Sequence, residues 1–124
     1  MKQQIIASNA PKADAILSQA VVSNGFIFVS GQVHNTVEGK LVEGFPKEKL
    51  SQIMQNISAI LSEAGATLDD IVKVTIYVTD MGQMPQINEE YPTYFKSFMP
   101  AREAICVKEL PLGASIEISV IAAK

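Results

Sequence analysis

A chain of 124 residues, 48% apolar and 19% charged, has material for one ordinary folded domain spanning residues 1–124. Its net charge of −3, with no Lys/Arg cluster, excludes the basic footprint of a tight nucleic-acid binder. A single cysteine forms no internal disulfide, no window reaches the length of a membrane span, and no signal-peptide pattern opens the chain, so a reduced, cytoplasmic setting is expected.

Residues 3–7 can form a short first strand. Residues 19–23 and 26–30 are two extended runs separated by Asn24-Gly25. Both turn residues tolerate positive φ, so the pair predicts a tight hairpin. A loop is expected over residues 32–46. Leu50, Ile53, Met54, Ile57, Ile60, Leu61 and Ala64 then recur at helical spacing, with Pro46 near the start and Gly65 past the end. The β-branched run 71–79 reads as a strand. Met84, Ile87, Tyr91, Tyr94 and Phe95 mark a second helical stripe, which Pro85 can open and Pro92 should kink or break. Two last strands, 102–109 and 115–122, are joined by Pro111-Leu112-Gly113.

This order predicts an α+β fold: a mixed sheet with both helices on one face. In the last strand Ile116, Ile118 and Val120 oppose Glu117, Ser119 and Ile121. In the middle strand Val72, Val74, Ile76 and Val78 oppose Ile71, Lys73, Thr75 and Tyr77. The apolar sets belong under the helices. The second face is mixed, no segment is left to cover it, and burying Ile71, Tyr77 and Ile121 there calls for another subunit.

The chemistry available is narrow. His34 and Cys106 form no zinc-type cluster, and neither a phosphate-cradling glycine loop nor a nucleophile elbow occurs. Any catalysis is expected to use substrate, water and side chains, without metal or cofactor. Arg102 shares its strand parity with Ala104 and Cys106. An arginine in such company either anchors a carboxylate with two parallel hydrogen bonds or pairs with Glu117 in an interface. Glu117 is either a partly buried carboxylate of raised pKa or a solvent-facing residue of an edge strand. Cys106 reads as a packed thiol rather than a nucleophile.

The segments Asn88 and Tyr91, then Pro100-Ala101-Arg102, Leu110-Pro111 and Gly113, Glu117-Ile118 and Ile121-Ala122 occur in order. Residues 28–32 read FVSGQ, 55–57 read QNI and 78–81 read VTDM. Together they resemble the reactive intermediate deaminase (Rid, YjgF/UK114-type) family along essentially the whole chain. The resemblance implies a chorismate-mutase-like fold and a homotrimer with ligand clefts between subunits. It implies enamine/imine deaminase activity, turning 2-aminoacrylate-type species into 2-keto acids and ammonia. Arg102 would hold the substrate carboxylate, the Gly31 backbone would orient its other end, and Glu117 would place a water. Asn88 would contact the cleft, with Ala104 and Cys106 beside it. Three positions depart from the family pattern, the first being Ala104, which stands two residues after Arg102 where the family often has its cysteine, while the cysteine here is Cys106. Leu17 stands where a cleft tyrosine is usual, in Ala15-Ile16-Leu17-Ser18-Gln19, and His34 replaces a frequent proline. The competing readings are a non-catalytic binder of small keto acids and a ribonuclease or translation inhibitor, the latter disfavoured by the acidic charge.

Overall fold

The computed structural model describes all 124 residues. Six strands form one sheet: β1 (Gln3–Ile5), β2 (Ala20–Ser23), β3 (Phe26–Val33), β4 (Ile71–Val78), β5 (Ala101–Cys106) and β6 (Ile116–Ala123). Their spatial order is β1-β2-β3-β6-β4-β5. All neighbours are antiparallel except β4 and β5, which run parallel, so the sheet is mixed as expected. Two helices, α1 (Pro46–Glu63) and α2 (Met84–Glu90), supply the second layer. No helix is long and apolar enough to cross a membrane.

Local chemistry sets these boundaries. Asn24 (φ 52) and Gly25 (φ 81) make the turn that joins β2 to β3. Pro46 opens α1, and the Glu48 carboxylate accepts the Phe45 N–H at 2.9 Å, one half of a capping box. Gly65, at φ 77, follows its end. The second stripe is divided at the proline: α2 ends at Glu90 and a 3-10 turn, Tyr91–Tyr94, continues it.

The apolar stripes of α1 and α2 meet the inward residues of the strands in one cluster of 25 buried side chains, including Ile57, Ile76, Ile87 and Ile118. Strand parity holds in β6, whose residues alternate between buried and half-buried. It fails at the start of β4. The register between β4 and β6 shifts between Ile71 and Lys73, which leaves Val72 as an extra residue. Ile71 is therefore buried in the core and Val72 exposed, the reverse of simple alternation. The uncovered face keeps Phe28, Tyr77, Ile105 and Ile121 beside Lys73, Thr75, Glu117 and Ser119. Phe28 and Ile105 are exposed.

Candidate active site

The expected site residues fall into two groups on opposite faces of the sheet. The first group is built on an irregularity in β3. Its pairing with β6 is regular up to Val29↔Val120 and resumes at Gln32↔Ile118, so Ser30 and Gly31 together oppose Ser119. This bulge breaks the strand where the sequence reading expected it to end, yet pairing continues to Val33. The Gln32 amide spans the bulge and donates to the Ser30 carbonyl at 3.1 Å.

Gly31 and Glu117 are coupled by space. A Cβ at Gly31 would collide with the Glu117 carboxylate, whose Cδ would lie 2.9 Å away. Glycine is thus what lets the carboxylate lie over the backbone. Burial pushes the Glu117 carboxyl above its ordinary value of 4.5, as a desolvated acid requires. Both residues line a depression of ≈ 830 Å³ with Leu17, Ser30 and Leu112.

The segment that carries Leu17 is tied to β3 through Ser30, at the neighbouring residues Ser18 and Gln19. The Ser30 hydroxyl donates to the Ser18 carbonyl at 2.6 Å, and the Ser30 N–H to the Gln19 carbonyl at 2.9 Å. The buried Gln19 side chain fixes the neighbouring wall. Its Oε1 accepts the Ala7 N–H, and its Nε2 donates to the carbonyls of Ala7, Ala10 and Pro11. Sequence reasoning assigned no role to Gln19. Its one signal is a polar residue at the entry of an otherwise apolar strand.

The second group lies on edge strand β5. Arg102, Ala104 and Cys106 pair with Val74, Ile76 and Val78, so their common parity holds and they share the helix side. Glu117 pairs with Tyr77 on the open face. Gly31 and Arg102 are further separated by the three strand spacings between β3 and β5, about 14 Å. Arg102 has no ion-pair partner in the chain, where the one salt bridge joins Lys73 and Glu103 at 3.5 Å. An Arg102–Glu117 pair is therefore not formed within one chain.

The Arg102 guanidinium stacks on the Tyr91 ring, 4.8 Å from its centroid. This contact is worth about 0.5–1 kcal/mol at an exposed site and holds the plane of the fork while its N–H edges stay free. Tyr91 itself is buried, and its hydroxyl has no hydrogen-bond partner in the chain. Burial pushes that phenol above its usual value, against the pull of Arg102. Tyr91 was legible only as a core residue; its second role, as the platform for Arg102, was not. Asn88 lies on α2 one turn earlier, exposed, without a side-chain partner. Ala104 is half-buried against the core, whereas Cys106 is exposed, contrary to the expectation of a packed thiol. It ends an edge strand with nothing beyond it. No three His, Cys, Asp or Glu side chains come together in a way that could hold a metal ion.

Residues 7–124 match a family model described as Endoribonuclease L-PSP. A RutC family protein of Aquifex aeolicus is 50% identical over 125 residues, covering 98% of this chain and 99% of the relative. The 2-iminobutanoate/2-iminopropanoate deaminase of Rattus norvegicus is 39% identical over 123 residues, covering 98% and 90%. Among solved structures, the conserved Rid-family protein YyfA of Yersinia pestis, of unknown function, superposes with a TM-score of 0.96 at 41% identity, covering 100% of both chains.

Proposed function

The chain belongs to the Rid family, the group its matching model describes as Endoribonuclease L-PSP, and from that premise we propose that it hydrolyses small 2-imino acids in clefts between neighbouring copies. The observation that carries this reading is the division of the site. Glu117 seated on Gly31 lies on one face, and Arg102 on Tyr91 lies on the other, each lacking a partner group within the chain. A heterologous contact, in which the β5 edge of one copy meets the Gly31 bulge of the next, would join them, and such contacts form a ring when the rotation between copies closes. The apolar residues on the uncovered sheet face support burial against another copy, and three copies per ring is the assembly the family resemblance implies.

In such a cleft the Arg102 fork would hold the substrate carboxylate by two parallel hydrogen bonds. Asn88 and Ala104 of the same copy, with Cys106 at the strand end, would flank the bound acid. The Glu117 carboxylate of the adjoining copy would take a proton from water as its oxygen attacks the imine carbon. The C=N electron pair moves to nitrogen, which is protonated. Collapse of the resulting amino alcohol expels ammonia and leaves the 2-keto acid. Burial raises the Glu117 pKa, which makes its carboxylate a stronger proton acceptor than an exposed one, and the proton it takes from water is the one it returns to the leaving nitrogen. The net charge of −3 and the lack of a Lys/Arg run in the sequence speak against the ribonuclease reading.

One observation favours a second reading. Leu17 brings no hydroxyl to the depression, which suits a non-catalytic keto-acid binder. A coupled assay separates the two: 2-aminoacrylate is generated by a pyridoxal-phosphate enzyme and its decay followed with wild type and Arg102→Ala. Hydrogen bonds to charged groups contribute about 1.5–3 kcal/mol each, so the variant should lose at least about tenfold in rate. Pyruvate binding without any acceleration of decay would establish the binder instead.

A further inference from the structure

The one histidine of the chain stands directly behind the cleft, and the mechanism above does not use it. His34 follows β3 and is 1% exposed. Its Nδ1 lies 2.9 Å from the Val42 carbonyl, and its Nε2 lies 3.0 Å from the Ser115 backbone nitrogen. A carbonyl only accepts and an amide only donates, so one protonation state satisfies both contacts: a neutral ring with its proton on Nδ1.

The two contacts join separate walls of the same depression. On the first side the Val42 N–H returns a bond to the His34 carbonyl at 2.7 Å, and Asn35 bridges to Leu41, so residues 35–41 hang from His34 as a small hairpin. That hairpin contributes Asn35, Val37 and Glu38 to the cleft. The buried Asn56 of α1 fixes its root, donating to the carbonyls of Asn35 (2.9 Å) and Val33 (3.4 Å). On the second side Ser115 heads β6. It lies between Glu117 and the Pro111–Gly113 turn, where Leu112 holds φ 63 at the cleft rim. Lys49 donates to the Ser115 hydroxyl at 2.9 Å, and that hydroxyl donates to Gln83 Oε1 at 3.1 Å. The Ser115 carbonyl accepts from Thr79 and Gln83.

We propose that His34 is a positioning residue for this cleft, whose neutral ring locks the 35–41 hairpin to the head of β6 and whose protonation unlocks them. This inference rests on reading the depression as the reaction site. A proton on Nε2 would set two donors against each other, Nε2–H and the Ser115 N–H, in a place without solvent. Ser115 would shift away, carrying the Pro111–Gly113 turn and the base of Glu117. The charged groups around the ring are Lys49 on α1 and Glu43 in the segment before it; Ser115 and Gln83, on the β6 side, are neutral. Burial first, then Lys49, hold the imidazole below its ordinary 6.5, against the Val42 carbonyl and Glu43. The lock is therefore closed at neutrality and opens on acidification below that value.

The test is a pH titration of the full chain by NMR from pH 8 to 5, with 2-oxobutanoate as the binding probe. The lone imidazole gives an unambiguous signal. Its midpoint should lie below 6.5, and the amides of Ser115, Gly113 and Leu112 should shift with that same midpoint. Affinity for 2-oxobutanoate should weaken about fivefold or more as His34 protonates. In His34→Gln, whose amide oxygen can accept from Ser115 but does not titrate, that component should vanish while the titration of Glu117, common to both chains, remains. An imidazole that titrates while the three amides stay still overturns the proposal, and so does an acid limb unchanged in His34→Gln. Global unfolding in step with imidazole protonation would make His34 a residue of the fold alone and overturn it too. If wild type bound no 2-oxo acid at any pH, the functional reading would fail, and the amide titration would still decide the lock.

Discussion

Replacing Gly31 with alanine separates the seat of Glu117 from the stability of the fold. The new Cβ would coincide with the carboxylate and stand 2.9 Å from Cδ and 3.3 Å from Cγ of Glu117. The three nearest atoms it meets all belong to one flexible side chain, so rotation of Glu117 relieves the clash. Fold stability should change by less than about 1 kcal/mol, below the usual 1–3 kcal/mol for overpacking a closed core. The carboxylate, however, loses its place at the bulge. Positioned proton transfer contributes about 10²–10⁴-fold, so Gly31→Ala should lose at least about a hundredfold in kcat/KM, or about 2.7 kcal/mol of transition-state stabilisation. The assay is a double-mutant cycle on imine decay, with thermal unfolding measured alongside. If both changes act through one carboxylate, Gly31→Ala should cost little further in a Glu117→Gln background. Full additivity of the two losses would refute the argument, as would an active Gly31→Ala enzyme.

Two further outcomes follow from the same geometry. Burial raises the Glu117 pKa above 4.5, so the native state holds the proton more tightly than the unfolded chain. The stability this provides is complete below 4.5 and is lost as pH rises through the folded value. Glu117→Gln should therefore melt above wild type at pH 7 and close to it at pH 4, at equal protein concentration; equal melting at both pH values would contradict the burial argument. Leu17 is 42% exposed at the cleft, with room for a larger ring. Leu17→Tyr should raise turnover of small imino acids or leave it unchanged, and a large loss in the coupled assay would mean the pocket is shaped around leucine.

Much of the fold could be read from local pattern because the determinants were local. Asn24-Gly25 placed the hairpin, the stripe from Leu50 to Ala64 placed α1, and Pro92 placed the break after α2. Alternation misled only where the ladder carries an extra residue. Val72 shifts the β4 register and exchanges the faces of Ile71 and Val72. The bulge at Ser30–Gly31 lengthens β3 beyond its apolar run. Parity correctly placed Glu117 on the mixed face and grouped Arg102 with Ala104 and Cys106, but it could not reveal that the Arg102 group faces the helix side, since relative faces depend on which strands pair. The buried polar residues Gln19, Gln32, His34 and Asn56 were least legible. Their side chains bond to main-chain groups, mostly far along the chain, and no periodicity marks such partners.

Subunit mixing tests most directly the proposal that each site is completed by two copies. Arg102→Ala and Glu117→Gln should each be inactive alone. Co-refolded in equal amounts, they should recover about a quarter of wild-type imine hydrolysis, because one ordered contact in four joins an intact arginine to an intact glutamate. Mixed oligomers verified by native mass spectrometry yet without recovered activity would contradict the account.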